Sequence, residues 1–500
     1  VITTVLGWLD KTAEKFPDKN AFIMGEEGLT FSALKNITES AGTFLAGRVP
    51  FGNPIVCMAG RKVTTPALFL SVVRAGSFYA PIDSTMPVAR LNQILSVIDA
   101  EYMLVDRENE EKAKELDFNG EIIVFEDIIP TVPDEKILEK AEKSLNPLSP
   151  LYVIFTSGST GAPKGVITSH HSLMCYIEAV SKVLEVDEND VFGGQAPLDY
   201  IAAVRDIYFP LKSGASTVII PKNEFSMPTA LFGTLNKNRV TAICWSVAGV
   251  ELPAKLNAFS EIKPEYLKKV CFSGSVMPGK YLKIWQEALP DVMYVNQYGP
   301  TEATASCTYY KVSEAATEET VLPIGIPYEN YEILLLTEDG KEACEGQTGE
   351  ICVSGPCVAL GYYNNPEKTA QSFIQNPLNC SYRQIIYKTG DLGKKENGLY
   401  WFLGRKDRQI KHMGHRIELE EIEGTAKRIN GVNETCSLYQ KEKELLYLFY
   451  TGQATAKDIT LFFRANMPAF MAPRKIINLE KMPVLPNGKT DMNALKQYFK

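Results

Sequence analysis

Cys-x-x-Cys pairs are missing from this chain, although ten cysteines are scattered singly along its 500 residues. The usual zinc-ribbon and thioredoxin-like spacings rest on such close thiol pairs, and a disulfide framework needs cysteines at paired spacings. All three are set aside, and a reducing cytoplasm is the expected compartment. No apolar run approaches the roughly 18 residues that a membrane span requires. The N-terminus lacks a charged-then-apolar leader, and the start at Val1 reads as processed or trimmed. Positive charge is in deficit, with 52 Lys and Arg against 60 Asp and Glu and a net charge of −8. That balance argues against the clustered basic surface of a nucleic-acid binder. Lys136, Lys140 and Lys143 alternate with Glu135, Glu139 and Glu142, as on a solvated helix or linker. Histidines number four (170, 171, 412 and 415) and suggest no Ser-His-Asp arrangement; His170 and His171 are expected to be structural, at the start of a helix. No repeat or low-complexity segment is visible.

What is present is ordinary globular material, 45% hydrophobic and 22% charged, long enough for two or more structural units. Strand-like runs at 151–155, 217–220, 240–244, 270–272 and 293–295 alternate with helical periodicity, as at Leu173, Ile177, Val180 and Leu184. Buried strands alternating with amphipathic helices predict an α/β architecture with largely parallel sheets. From about residue 320 the texture changes. Runs at 331–336, 350–353 and 399–402, punctuated by Gly and Pro, predict a β-rich subdomain. The charged stretch 404–411 then precedes a helix expected over 418–429, stopped by Gly431. The expected organisation is a large domain over 1–406 and a small, mobile α+β domain over 407–500, with a ligand site between them.

The sharpest local signal is Thr156-Ser157-Gly158-Ser159-Thr160-Gly161-Ala162-Pro163-Lys164-Gly165, directly after an apolar strand. Its glycines allow a tight turn and close approach, and its hydroxyls and backbone N–H groups can donate to phosphate oxygens. Lys164 adds a positive charge for a polyphosphate. The spacing is not that of the GxxxxGK[ST] loop.

Four later segments join this loop: Asn296-Gln297-Tyr298-Gly299-Pro300-Thr301-Glu302, Tyr387-Lys388-Thr389-Gly390-Asp391, Gly404-Arg405-Lys406-Asp407-Arg408-Gln409-Ile410-Lys411, and Leu485-Pro486-Asn487-Gly488-Lys489. Together and in this order they closely resemble the adenylate-forming superfamily. Its members include nonribosomal peptide synthetase adenylation domains, D-alanyl carrier protein ligases, acyl-CoA synthetases and luciferases. The string Arg416-Ile417-Glu418-Leu419-Glu420-Glu421-Ile422-Glu423 looks most like the peptide-synthetase and D-alanyl-ligase branch.

The resemblance implies ATP and Mg2+ as cofactors. It assigns the nucleotide to Thr156, Ser157, Gly158, Ser159, Thr160, Gly161 and Lys164, and to Asn296, Gln297, Tyr298, Gly299, Thr301, Asp391, Arg405 and Lys489. Within that set Tyr298 would face adenine, Thr301 the α-phosphate, Asp391 the ribose hydroxyls, and Arg405 the ribose or phosphates. Glu302 would hold magnesium and Lys489 would bridge carboxylate and phosphate oxygens, so Lys489, Thr301 and Glu302 are the expected catalytic set. Asp407 takes the hinge position. The implied reaction joins a carboxylate to the α-phosphorus of ATP, releases pyrophosphate, and passes the acyl group to a phosphopantetheinyl carrier.

At the acid pocket the chain departs from α-amino-acid-activating relatives. Matching Gln195-Ala196-Pro197 places Ile201 where those relatives carry an ammonium-binding aspartate. Asp199 could instead hold a displaced amino group, as in a β-amino acid, and Arg205 would suit a second carboxylate or another polar acceptor. The same matching adds Ala202, Cys244, Cys271, Ser273, Gln297, Ala305 and Ser306 to the pocket. A β-amino or other non-standard amino acid ranks above an aryl or aliphatic acid. The alternatives are an acyl-CoA synthetase acting on such an acid, and a non-catalytic nucleotide-binding relative. No Gly-x-Asp-Ser-Leu carrier signature occurs, so the carrier is expected to be a separate protein or a neighbouring module.

Overall fold

The computed structural model describes residues 2–158, 162–485 and 490–499; Ser159, Thr160, Gly161 and Lys489 lie outside them. The apolar runs become the strands Pro150–Thr156, Ser216–Ile219, Ala242–Ser246, Lys269–Ser273 and Met293–Tyr298. The run expected at 240–244 starts two residues late. Val240 N–H closes onto the Leu235 carbonyl, and Arg239 sits at φ 50, so these residues finish the preceding helix turn. The helix read from Leu173 to Leu184 spans His170–Leu184, capped by the Ser169 hydroxyl accepting from Ser172 N–H.

Two sheets make the large domain. In one, Asn20–Met24, Ser216–Ile219, Val191–Gly194, Ala242–Ser246, Lys269–Ser273 and Met293–Tyr298 run parallel, with antiparallel strands at both edges. In the other, Pro150–Thr156, Phe78–Ile82, Pro54–Met58, Tyr102–Val105 and Glu121–Val124 are parallel. Their strands are buried on both faces by helices, which is why the sequence reads as continuous apolar runs there. The β-rich part is antiparallel: Glu332–Leu336, Gly349–Ser354, Ile385–Glu396 and Phe373–Gln375, with Leu399–Arg405 beside Ile385–Glu396.

Beyond it, the hairpin Gln409–His412 and His415–Glu418 leads into the helix Leu419–Lys427. A three-stranded sheet of Val432–Gln440, Leu445–Gly452 and Lys475–Leu479 follows, with the helix Ala456–Asn466 opened by a Thr455/Asp458 capping box. Ile417, Ile422, Leu446, Leu448, Ile459 and Phe463 form a hydrophobic core of their own. The fold is therefore a large α/β domain with a β-rich part and a small α+β domain. Among the described residues no helix is long and apolar enough to cross a membrane.

The strand directions place the ligand space. Gln195, Ser246, Ser273 and Gly299 each lie at or just beyond the carboxyl end of a parallel strand of the first sheet. Asp83 and Ser157 follow strands of the second sheet in the same way. Carboxyl ends of parallel strands, where loops diverge, are where open α/β sheets bind ligands.

Candidate active site

A cavity of about 800 Å³ opens at these strand ends, lined by the large domain and by the small-domain hairpin. Of the residues expected to hold the acid, Asp199, Ile201, Ala202, Arg205, Ser273 and Ala305 line it. Cys244, Cys271, Gln297 and Ser306 do not reach it; they form a buried layer behind the wall. Cys244 and Cys271 are register partners on adjacent strands, and Ser306 Oγ lies 3.1 Å from Tyr176 Oη. Gln297 accepts from Arg205 Nη1 at 2.5 Å and donates to Tyr328 Oη at 2.8 Å. These four shape the pocket from behind.

Asp199 and Arg205 make no ion pair with each other or with another described residue. Burial, then the neighbouring Asp83, pushes the Asp199 carboxyl up to about 7. The segment carrying Asp199 is held by Arg61, whose guanidinium donates to the carbonyls of Gly194 (2.7 Å), Gln195 (3.1 Å), Ala196 (2.7 Å) and Ile220 (2.9 Å).

From the nucleotide set, Gly299, Thr301, Asp391 and Arg405 line the same cavity. A Cβ on Gly299 would sit 2.4 Å from Ser306 Cα, so only glycine lets the chain pass there. Asp391 accepts from Tyr298 Oη at 2.5 Å and from Arg405 Nη1. Arg405 turns its Nε and Nη2 to Asp407, each at 2.6 Å. The Tyr298 ring is buried beside Phe402 and beneath Lys411 Nζ, 5.8 Å from the ring centroid, and does not line the cavity. Asn296 also stays behind the wall, its Nδ2 donating to the Pro323 carbonyl at 2.8 Å.

At the phosphate loop, Gly158 has no room for a side chain, since a Cβ would lie 2.0 Å from the Ala162 oxygen. Thr156 Oγ1 is buried without a partner among the described residues, and Ser157 Oγ donates to the Arg416 carbonyl at 2.7 Å. Lys164 lies 3.6 Å from Glu302; burial, together with Arg416, brings its ammonium down to about 8.

Glu302 is fully buried. Burial would raise its carboxyl, but Arg416, Lys164 and a 2.8 Å hydrogen bond from Tyr362 Oη hold it at about 2. Among the described residues no group of three or more His, Cys, Asp or Glu could cage a metal ion. A single ionised carboxylate does fit magnesium, which keeps several waters and takes its other ligands from phosphates. In this arrangement Arg416 occupies that carboxylate.

Several site residues carried no sequence signal. His415 lines the cavity from the hairpin, stacked on Phe470 at 3.7 Å and 4° and kept neutral by burial with a value near 4. Tyr200 Oη donates to the Gly414 carbonyl at 2.9 Å, and Arg90 pairs with Glu421 at 2.6 Å across the two domains. Isolated arginines at 61 and 90 lie in no recognisable string. Arg416 lay within one, but its contact depends on a partner 114 residues away.

The family model for AMP-binding enzymes matches residues 9–363. The D-alanine–D-alanyl carrier protein ligase of Bacillus cytotoxicus is 30% identical over 507 positions, covering 98% of each chain. Tyrocidine synthase 1 of Brevibacillus parabrevis is 29% identical over 98% of this chain, which spans 44% of that larger protein. Among solved structures, the Vibrio cholerae adenylation domain AlmE in complex with glycyl-adenosine-5'-phosphate superposes with a TM-score of 0.84 at 21% identity, over 99% of this chain and 98% of that one.

Proposed function

This chain belongs to the AMP-binding enzymes, acyl-adenylate-forming ligases that use ATP, and from that premise we propose that it activates a β-amino or other non-standard amino acid and transfers it to the thiol of a phosphopantetheinyl carrier. The observation carrying this reading is one cavity holding Gly299, Thr301 and Asp391 together with Asp199, Ala202 and Arg205. It has room for a nucleoside monophosphate joined to a small acid.

In this mechanism the substrate carboxylate oxygen attacks the α-phosphorus of ATP, the bond to the bridging oxygen breaks, and pyrophosphate leaves. A thiolate then attacks the acyl carbon and AMP departs. Asp391 holds the ribose hydroxyls with Arg405 beside it, and Thr301 meets the α-phosphate. The phosphate loop and Lys164 take the polyphosphate. Magnesium, held at Glu302, would spread the phosphate charge. Lys489 would meet the oxygens between acid and phosphorus, stabilising charge as it gathers there. Asp199, when ionised, receives the substrate ammonium, which Ile201 cannot. The domain boundary belongs at 406/407, with Asp407 as hinge. A carrier as acceptor is supported by the named activity of the Bacillus cytotoxicus relative.

ATP–pyrophosphate exchange across α-amino, β-amino, aryl and fatty acids tests the first half. Exchange should appear with amine-bearing acids and fall by about 10²-fold or more in Lys489→Ala while ATP still binds, the size seen when one transition-state donor is lost. Undiminished exchange in that variant refutes the role. Thioester formation on coenzyme A in preference to a carrier would replace the second half.

A further inference from the structure

Arg205 is among the largest fully buried side chains, 1% exposed, yet it lines the cavity. Burying a guanidinium is costly unless a counter-charge comes with it. Among the described residues its hydrogen-bond acceptor is the neutral amide of Gln297, Nε has no partner, and no carboxylate bonds to it. The other groups facing it are the Tyr176 phenol and the thiols of Cys244 and Cys271. Asp206, the next residue on the same helix, is the nearby carboxylate; it also faces Arg61 and forms no ion pair with Arg205 among the described residues. Gln297 is itself anchored by Tyr328, so the guanidinium is held in place before any ligand arrives. The arrangement is a fixed cation at the wall of an acid-binding cavity, with no carboxylate bonded to it among the described residues.

Resting on the adenylation reading above, we propose that Arg205 selects acids with a second anionic group, so that the substrate is a dicarboxylic acid. One carboxylate is activated at the nucleotide and the far one pairs with the guanidinium. A planar guanidinium with free donors suits a carboxylate, and a neutral end group would leave the buried charge unmet. Asp199 lines the same cavity and is free to take an amine between the two carboxylates, which makes an amino-dicarboxylate the combined expectation.

The test is pyrophosphate exchange by the full chain with matched pairs: 3-aminoglutarate against 3-aminobutyrate, and glutarate against butyrate. The diacid of each pair should have the higher kcat/KM by about 10²-fold, as for a hydrogen bond to a charged group. Arg205→Leu should remove that preference and improve use of the monoacid, while Arg205→Lys should keep part of it. Preference for the monoacids in the wild type, or an unchanged preference in Arg205→Leu with ATP binding intact, overturns the proposal. Exchange with none of the acids would strike the adenylation reading instead. Calorimetric binding of 3-aminoglutarate then decides Arg205 separately: at least ten-fold weaker binding in Arg205→Leu and in Arg205→Gln supports it, and equal binding overturns it.

Discussion

Arg416, on the small-domain hairpin, sets its Nη1 3.0 Å from Oε1 and 2.9 Å from Oε2 of Glu302 in the large domain. The carboxylate proposed for magnesium is thus satisfied by a guanidinium when the hairpin is docked. Arg416 also offers its carbonyl to Ser157 of the phosphate loop. One small-domain residue therefore touches both Glu302 and the phosphate-loop residue Ser157.

The first expectation concerns acid stability. Burial acts upward on Glu302, and Arg416, Lys164 and Tyr362 outweigh it, leaving the folded value at about 2. The unfolded value is about 4.3, so the stabilisation is complete above that pH and is lost as pH falls from there towards 2. The difference amounts to about 3 kcal/mol at most. Urea midpoints measured from pH 5 to 3 should fall in the wild type. In Glu302→Gln they should be lower at pH 5 and flatter with pH. Parallel curves would count against this assignment.

Docking of the small domain should depend on Arg90. The pair with Glu421 is buried on both sides; Arg90 bonds Oε1, and Oε2 has no hydrogen-bond partner among the described residues. Removing one member of such a pair costs about 3–5 kcal/mol. In Arg90→Met, amide exchange should accelerate in the helix Leu419–Lys427 and stay unchanged in the strand Pro54–Met58. Adding Glu421→Gln should restore much of the protection, because the orphaned charge is removed.

Asp391→Ala is expected to weaken AMP binding by about 10–10²-fold, the range for hydrogen bonds to a charged group. Isothermal calorimetry with AMP reads this directly. The variant also frees Tyr298 Oη and Arg405 from their shared partner, so a Tyr298→Phe control separates lost ribose contacts from a loosened wall.

A pH profile should reveal Asp199. Its carboxyl stands at about 7 through burial and Asp83, with Lys222 acting the other way. The ionised form, which receives an ammonium, dominates above that value. For amine-bearing acids kcat/KM should rise as pH increases through about 7, and for amine-free acids this limb should be absent. Asp199→Asn should abolish the limb; its persistence would assign the titration elsewhere.

The α/β class, the β-rich stretch and most strands were legible because their signals are local. Apolar runs between turn residues mark strands buried on both faces, and the nucleotide strings carry their own turn chemistry. The phosphate loop is an example: Gly158 must be glycine because of Ala162, four residues on. The pocket was legible only in outline. Matching by offset named Cys244, Cys271, Gln297 and Ser306 together with Ala202 and Ser273. Only packing separates those behind the wall from those in it: Arg205 reaches the cavity while its partner Gln297 stays buried behind it.

Taken alone, the amino-acid order determined that a glycine-rich loop follows an apolar strand, that the chain folds as a large α/β unit followed by a small one, and that Ile201 offers no charge to an ammonium. Tertiary structure decided that Arg416 covers Glu302, that Arg61 clamps the Asp199 segment, and that Arg205 bonds to no carboxylate among the described residues. Turns and strand patterns are set by neighbours within a few residues. Charge pairing between groups a hundred residues apart depends on how sheets and domains dock.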